Sequence, residues 1–414
     1  MSDVLQQIRD MQYRDKSGAE RLLLSFIREN FPLDVQTLEL TPLAVSLNSF
    51  NGFMTLADGS RRFFKTHTET DTVITEYYNA GMLSKAGYKV IQPIFKSTEP
   101  GKQLLVYDVI DDESVFDLAW RIEESADASD LLSPLTAAQN RADDELLALY
   151  QATIENQSAE NAAKSPVHQL FYHRLVGGRL DRFYGDNMQI TLPDGRHDMA
   201  TVRRVKWVIN GQEYADSLDT VIDRAKQILV PSQANMSIIG HGDAHNGNVF
   251  YRKNDNPPSL LYFDPAFAGQ HHPLLDLTKP LFHNVFAMWM YFPQEKLQSS
   301  TISLRKQGDT WHIDYEYALP PVRQMFLESK VQRVLIPILK QLKTNGQLRQ
   351  GWRTYLKAAL FCCPFLTMNL ADGDKFPPEI SLLGLAMSIE MGADSSGQRS
   401  MIDRTLDEVE SVLG

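Results

Sequence analysis

Near residue 110 the chain changes material, and that change limits its architecture more than any other feature. Before it, short alternating runs surround one helical stretch. LELTPLAVSLNSF (38–50), GFMTL (52–56) and RRFFKTH (61–67) alternate apolar with polar residues, and Ala57-Asp58-Gly59-Ser60 reads as a turn. DTVITEYYNAGMLSKA (71–86) returns to helical spacing, and KVIQPIF and QLLVYDVI read as two further strands around the turn STEPGK. Residues 1–31 are helical in pattern, with Leu22, Leu23, Phe26 and Ile27 on one face, and form a lead-in that ends near 34. After residue 110 the chain is acidic and helical to about 160, with a break at Pro134. Residues 187–216 carry Asp194-Gly195 and Asn210-Gly211, and Asn-Gly between alternating residues signals a hairpin. From 273 onward helical spacing dominates. The expectation is an α+β chain with a small antiparallel-sheet N-lobe (1–110) and a larger, mostly helical C-lobe (111–414) bearing a β-hairpin insertion.

Composition narrows the function. At 414 residues the chain is long enough for two or three units, and 43% hydrophobic residues supply a large core. The net charge of −11, with no basic tract, argues against a nucleic-acid partner, since phosphate binding needs a local excess of Lys and Arg. The only cysteines, Cys362 and Cys363, are adjacent, which rules out a disulfide framework and reads as two buried helix residues. The N-terminus is amphipathic and lacks a signal-peptide core, and no apolar run reaches membrane-spanning length, so the expectation is a cytosolic protein with no membrane partner.

The chemistry concentrates in IIGHGDAHNGN (238–248), a run of His, Asp, Asn and Gly that no helix interior would hold. VFY (249–251) and LLYF (260–263) follow as strands, and the second delivers Asp264. Phosphoryl transfer needs such parts: a carboxylate that orients the attacking hydroxyl, and an Asn and a second carboxylate whose oxygens hold the hard cation Mg²⁺. Asp243 precedes Asn248 by five positions, the spacing of a kinase catalytic loop. Here the sequence resembles the aminoglycoside phosphotransferase and choline kinase family, whose loop H-G-D-x-H-x-x-N is matched by His241, Gly242, Asp243, His245 and Asn248. The family's metal-binding Asp, the Gly five residues later and the Pro-x-x-Asp are matched by Asp264, Gly269, Pro273 and Asp276. The match is specific over residues 238–277 and elsewhere rests on pattern.

The resemblance implies a two-lobed protein-kinase-like fold and a small-molecule kinase using ATP or GTP with Mg²⁺. It implies Asp243 as catalytic base, Asn248 and Asp264 as metal ligands, and Asp276 as a brace for the catalytic loop. Asp276 follows Pro-Leu-Leu and also reads as a helix N-cap. His241 reads as a loop support, His245 as either a support or a phosphate-facing group, and His271 and His272 as solvent-facing loop residues. In the N-lobe, Lys65 on a strand would clamp the phosphates, paired with Glu76 of the following helix, or else with Glu69. The phosphate-covering stretch VSLNSFNGFM (45–54) holds one Gly, and Ser49 and Asn51 offer hydrogen bonds there. Tyr107, Asp108 and Val109 sit where a kinase-like fold reads the adenine edge.

Two other classes stay open. His241, Asp243, His245, Asp264 and His271 have spacing that permits a Zn²⁺ or Fe²⁺ hydrolase, though this leaves Lys65, Glu76 and Asn248 without a part. A catalytically inactive kinase-like binding protein is the other. The acceptor is a small-molecule hydroxyl. The acids of 111–160, where Arg121 and Arg141 are the only arginines, suggest a cationic one such as an amino sugar, aminoglycoside or amino alcohol, if those acids face it rather than solvent.

Overall fold

The protein is described by a computed structural model covering residues 2–12, 14–41, 49–67, 75–97, 99 and 101–414; for 2, 3, 6, 9, 49, 50, 67, 75–78 and 126 the backbone alone is described. Its contacts divide the chain into two compact units: Met1–Asp112 with Tyr262–Ala266, and Glu113–Leu261 with Phe267–Gly414.

The first unit is an antiparallel sheet backed by helices. Its strands are β1 (Val35–Leu40), β2 (Ser49–Leu56), β3 (Arg61–His67), β4 (Phe95–Ser97) and β5 (Leu104–Asp108), in the order β1-β2-β3-β5-β4. Alternation along β3 sets the two faces. Phe64 joins Met54, Leu104 and Val106 against Leu23, Phe26 and Ile27 of the helix Lys16–Asn30. Each such side chain removed from water is worth about 1.5–3 kcal/mol, which ties the helical lead-in to the sheet. Phe63 and Lys65 point the other way, beside Leu105 and Tyr107. Gly52 is required where β2 passes β1, because a Cβ there would lie 2.0 Å from the Glu39 carbonyl oxygen. The lone Gly of the 45–54 stretch thus serves strand packing, and residues 45–48 lie outside those described. Tyr262–Ala266 returns to this unit through its backbone: Tyr262 N donates to Lys89 O at 2.8 Å and Ile91 N to Tyr262 O at 2.9 Å.

The second unit is mostly helical, but it holds more strand than the sequence reading placed there. Helices Pro273–His283, Trp352–Leu366 and Pro378–Gly392 form its interior and are almost wholly buried. Cys362 and Cys363 are free and buried in the second of them. Pro134 does not break the acidic helix; it lies in the first turn of Leu132–Thr153, where its missing N–H had no partner to lose. The expected single hairpin insertion is two. Gln189–Leu192 pairs with Gly195–Asp198, and Lys206–Ile209 pairs with Gln212–Tyr214 across Asn210-Gly211, both left-handed. The second hairpin joins a five-stranded sheet with Ser395–Gly397 on one side and the hairpin Ile302–Gln307/Thr310–Tyr315 on the other. That last hairpin lies within the stretch read as helical. No helix among the described residues is long and apolar enough to cross a membrane.

One buried acid of this unit carries a pH prediction. Glu390 is buried and accepts from Tyr315 Oη at 2.5 Å; burial pushes its carboxyl up to about 7, against the pull of Tyr315 and Lys357. An acid raised in the folded state adds stability below its unfolded value and loses it as pH rises through the folded one. Replacing Glu390 by Gln should therefore leave stability unchanged near pH 4 and raise it above about pH 8 by about 3 kcal/mol. Urea unfolding at both pH values measures this, and a gain equal at both would refute it.

Candidate active site

The central loop leaves the strand Asn235–Gly240, which is flanked by Gly269–His271 and Glu155–Gln157. Gly242 is left-handed at φ +79°, and a Cβ on it would lie 2.4 Å from the Phe267 carbonyl oxygen, so the turn admits only glycine. Asp276, buried in the first turn of Pro273–His283, accepts from Gly242 N at 2.6 Å, from His271 Nε2 at 2.9 Å and from Tyr150 Oη. Burial raises its carboxyl, but His271, Tyr150 and the Gly242 amide outweigh this and hold it below its ordinary value. Asp276 thus grips the loop by its backbone. It is not the helix N-cap; His272 is, its Nδ1 accepting from Leu274 N at 3.1 Å.

His271 and His272 are 1% and 3% exposed, not solvent-facing. Each is buried because it satisfies a neighbour, His271 the Asp276 carboxylate and His272 the helix start. Gly269 is buried at the head of the same strand, where a Cβ would press on Pro166 Cδ at 3.2 Å.

Within the loop, Asn248 Nδ2 donates to the Asp243 carbonyl oxygen at 2.9 Å. That bond fixes the amide and leaves Asn248 Oδ1 as the atom to offer a cation. His245 caps the short turn Asn246–Asn248, its Nδ1 accepting from Gly247 N at 3.1 Å. The neutral ring therefore carries its proton on Nε2, which lies 4.0 Å from Asp243 Oδ2. His241 is fully buried.

The Asp243 side chain is 16% exposed, and Lys279 Nζ, itself 4% exposed, lies 3.9 Å from its Oδ1. Burial raises the Asp243 carboxyl, but Lys279, His245, His241 and Arg174 outweigh that and draw it below the ordinary value. It is a carboxylate at neutral pH. Lys279 Nζ also meets His283 Nε2 at 3.2 Å, and His283 Nδ1 meets Tyr291 Oη at 2.8 Å. Lys279, His283, Tyr291 and Arg174 escaped the sequence reading. A signal existed for Lys279: it stands one helical turn after Asp276 in PLLDLTKPLFH, where a cation inside an apolar helix asks for a partner.

In the first unit, Lys65 Nζ meets Asp264 Oδ1 at 3.2 Å. Asp264 is left-handed at φ +51°, uncommon for a residue with a Cβ, and Asn79 Nδ2 donates to Pro265 O at 3.0 Å and Ala266 O at 3.3 Å beside it. Glu76 lies in the helix Thr75–Ala86 and Ser49 at the start of β2, but their side chains, and all of Glu69, lie outside the described residues. Asn51 is buried, and its Oδ1 accepts from Thr41 Oγ1 at 2.9 Å, so it is engaged within the sheet rather than held out for a phosphate. Asp108 ends β5, paired with Arg62 at 3.2 Å, and Val109 follows.

Several acids of 111–160 are paired with cations, three of them with partners far along the chain. Glu123 is buried between Lys296 at 2.5 Å and Arg323 at 2.7 Å. Asp143, fully buried, takes Lys330 and Ser329. Asp144 pairs with Arg333 at 2.8 Å and Glu113 with Arg121 at 2.5 Å. Among the described residues no group of three or more His, Cys, Asp or Glu is placed to hold a metal ion, and His271, one member of the rival hydrolase set, turns to Asp276.

No protein-family model matches the chain, and no curated protein matches it. Solved structures do. Amicoumacin kinase hAmiN, in complex with AMP-PNP, Ca²⁺ and Ami, is similar over 92% of this chain and 96% of its own, at 13% identity and a TM-score of 0.48. A glucosamine kinase is similar over 90% and 80%, at 13% identity and 0.41. Macrolide 2'-phosphotransferase MphH from Brachybacterium faecium is similar over 84% and 97%, at 14% identity and 0.35. These three similar structures are each a kinase or a phosphotransferase.

Proposed function

We propose that the protein is a small-molecule kinase, moving the γ-phosphate of ATP, or GTP, to a hydroxyl of a small acceptor. The observation that carries this is Asp243: a carboxylate held ionised by buried cations, on a loop pinned from behind by Asp276. In the transfer, Asp243 accepts the hydrogen bond of the acceptor hydroxyl, aims its oxygen at the phosphorus and takes its proton as the new P–O bond forms. His245, with its ring proton on Nε2, is a donor beside the same carboxylate. Lys65 clamps the nucleotide phosphates, and its contact with Asp264 keeps the two in register until nucleotide arrives.

The donor types fit Mg²⁺: Asn248 Oδ1 and the Asp264 carboxylate each offer oxygen, which suits a hard cation better than zinc. Bound there, Mg²⁺ would neutralise charge on the phosphates. The hydrolase alternative keeps no support from His271, which is committed to Asp276.

The test is nucleotide-induced stabilisation. Saturating ATP with Mg²⁺ should raise the melting temperature by a few degrees, since a ligand at a hundredfold its Kd adds about 2.7 kcal/mol. EDTA should remove most of the rise, and Lys65→Ala should weaken it. Identical melts with Mg²⁺ and with EDTA would defeat the proposal. A Mg²⁺-dependent rise with no phosphate transfer to any acceptor would instead favour the inactive binding protein.

A further inference from the structure

The charge surrounding Asp243 is of the wrong sign for a cationic acceptor. Lys279 stands 3.9 Å from Asp243 and carries no second carboxylate among the described residues. Arg174, on the short helix Tyr172–Val176, acts on Asp243 and on Lys279. Its Nη1 donates to Thr367 Oγ1 at 3.3 Å, and its Nε is buried with no hydrogen-bond partner among the described residues. Arg179 follows close behind, its Nη1 donating to the Leu366 carbonyl oxygen at 3.1 Å, and burial and Arg174 together push it down to about 10. Lys279 and Arg174 therefore both act on the one carboxylate, Asp243, and Arg179 adds a further positive charge beside Arg174. Three of the acids of 111–160, Glu123, Asp143 and Asp144, are meanwhile paired with Lys296, Arg323, Lys330 and Arg333.

Arg174 is half-buried and feels Asp243 without a hydrogen bond to any carboxylate among the described residues; a guanidinium so placed is costly in general, and a ligand can complete it. A guanidinium with free N–H groups is the donor suited to a carboxylate or phosphate. His245 and His283 do not cancel the surplus. Burial, then Lys279, His245 and Arg174, hold His283 well below its ordinary value, so it stays neutral. The thiols of Cys362 and Cys363, which burial holds protonated, and Tyr291, which burial holds as the phenol, also act on Arg174, and the thiols on Lys279, while His241 acts on Asp243.

We propose that Arg174 and Lys279 form a seat for an anionic oxygen group beside Asp243, and that this group belongs to the acceptor, a hydroxyl compound bearing a carboxylate or phosphate a few bonds from the hydroxyl that is phosphorylated. The proposal rests on the kinase reading, which makes Asp243 the partner of that hydroxyl. A hydroxy acid, sugar acid or sugar phosphate satisfies it, and an amino sugar or amino alcohol does not. The same seat could serve the transferring phosphoryl group, so the test must separate the two sources.

The probe is inorganic phosphate, added to the full-length chain alone and to the chain saturated with Mg²⁺ and AMP-PNP. Melting curves and titration calorimetry are read for the wild type, Arg174→Gln, Arg174→Lys and Lys279→Gln. The expected result is phosphate binding in both states, weakened at least about tenfold in Arg174→Gln and in Lys279→Gln, as for loss of a charged hydrogen bond, and weakened less in Arg174→Lys. Ligand-free Arg174→Gln should melt close to the wild type, since it removes a charge that no carboxylate among the described residues hydrogen-bonds, while Lys279 stays beside Asp243. If Arg174→Gln fails to fold, Lys279→Gln reads the same seat.

Phosphate binding that AMP-PNP abolishes would assign the seat to the nucleotide's phosphoryl group and overturn the acceptor assignment. Binding that is absent, or indifferent to both substitutions, would overturn the seat itself. Absence of any Mg·AMP-PNP stabilisation would strike the kinase reading first and the acceptor assignment with it, whether or not phosphate binds.

Discussion

Asp243→Asn is expected to lower turnover on the acceptor at least about a hundredfold, the range for losing a positioned general base. The substitution keeps the shape of the side chain, and the loop around it is held by other groups: Asp276 on the Gly242 amide and Asn248 on the Asp243 carbonyl. Nucleotide binding should therefore survive, with the Mg²⁺-dependent rise in melting temperature close to that of the wild type. What is lost is the negative charge that accepts the hydroxyl proton, together with the partner of Lys279 at 3.9 Å. The fall should lie in kcat more than in KM, because an interaction made as the proton leaves is absent from the ground state. Steady-state kinetics of ADP release, paired with melts in Mg²⁺ and EDTA, separate the two effects. Near-normal turnover of this variant would remove Asp243 from the chemistry. Loss of nucleotide binding alongside turnover would recast it as a structural residue.

That experiment concerns the part of the site most legible in the sequence, for a physical reason. Asp243, His245 and Asn248 act within one tight turn, so their spacing is itself their geometry; the amide of Asn248 closes back on the Asp243 carbonyl. Asp276 was legible as a brace only through the family resemblance; its place at the start of the next helix suggested an N-cap, a part that His272 takes while Asp276 accepts from Gly242. The strands of the first unit were legible from alternation, since one face is buried and the other is not. Less visible was the return of Tyr262–Ala266 to that unit, which depends on backbone pairing with Lys89 and Ile91, and backbone pairing leaves little trace in side-chain type.

The misses share a cause: a polar residue's environment is set by partners distant in sequence. His271 and His272 looked exposed because histidines in a loop usually are, yet each fills a hydrogen-bonding vacancy inside the fold. Glu123, Asp143 and Asp144 gave no sign in the sequence of their partners, because those cations lie at 296, 323, 330 and 333. The hairpin at 302–315 carried a real signal, ISLRKQ-Gly308-Asp309-TWHIDY, with Gly308 left-handed at φ +59°. Its outward strand is mostly exposed and charged, so it lacked the apolar density that marks a strand at first reading.

The largest effect on stability should come from the far end of the chain, at Asp403. This carboxylate is fully buried and joins three segments: it accepts from Lys357 Nζ on the helix Trp352–Leu366, from Arg353 Nη2 at 3.2 Å one turn earlier, and from Ser395 N at 2.8 Å and Oγ at 2.6 Å. Ser400 caps the helix Met401–Leu413 through the Asp403 amide, so the same residue also starts the last helix. Burial raises its carboxyl, but Lys357 and the Ser395 hydrogen bonds outweigh this and hold it below its ordinary value. A depressed acid contributes stability that is present above its unfolded value and lost as pH falls through the folded one, so the contribution is complete at neutral pH. Asp403→Ala should cost about 3–5 kcal/mol in urea unfolding near pH 7, the penalty for breaking a buried ion pair, because it leaves the buried Lys357 with only the exposed Asp394 carboxylate, at 3.3 Å. Lys357→Met leaves Asp403 with Arg353 and the Ser395 hydrogen bonds and should cost less. The double variant carries the argument: with both charges gone neither is stranded, so it should be clearly more stable than the sum of the two losses predicts. Additive losses would mean that packing rather than charge fixes this corner, and a single variant within about 1 kcal/mol of the wild type would mean that solvent reaches the pair.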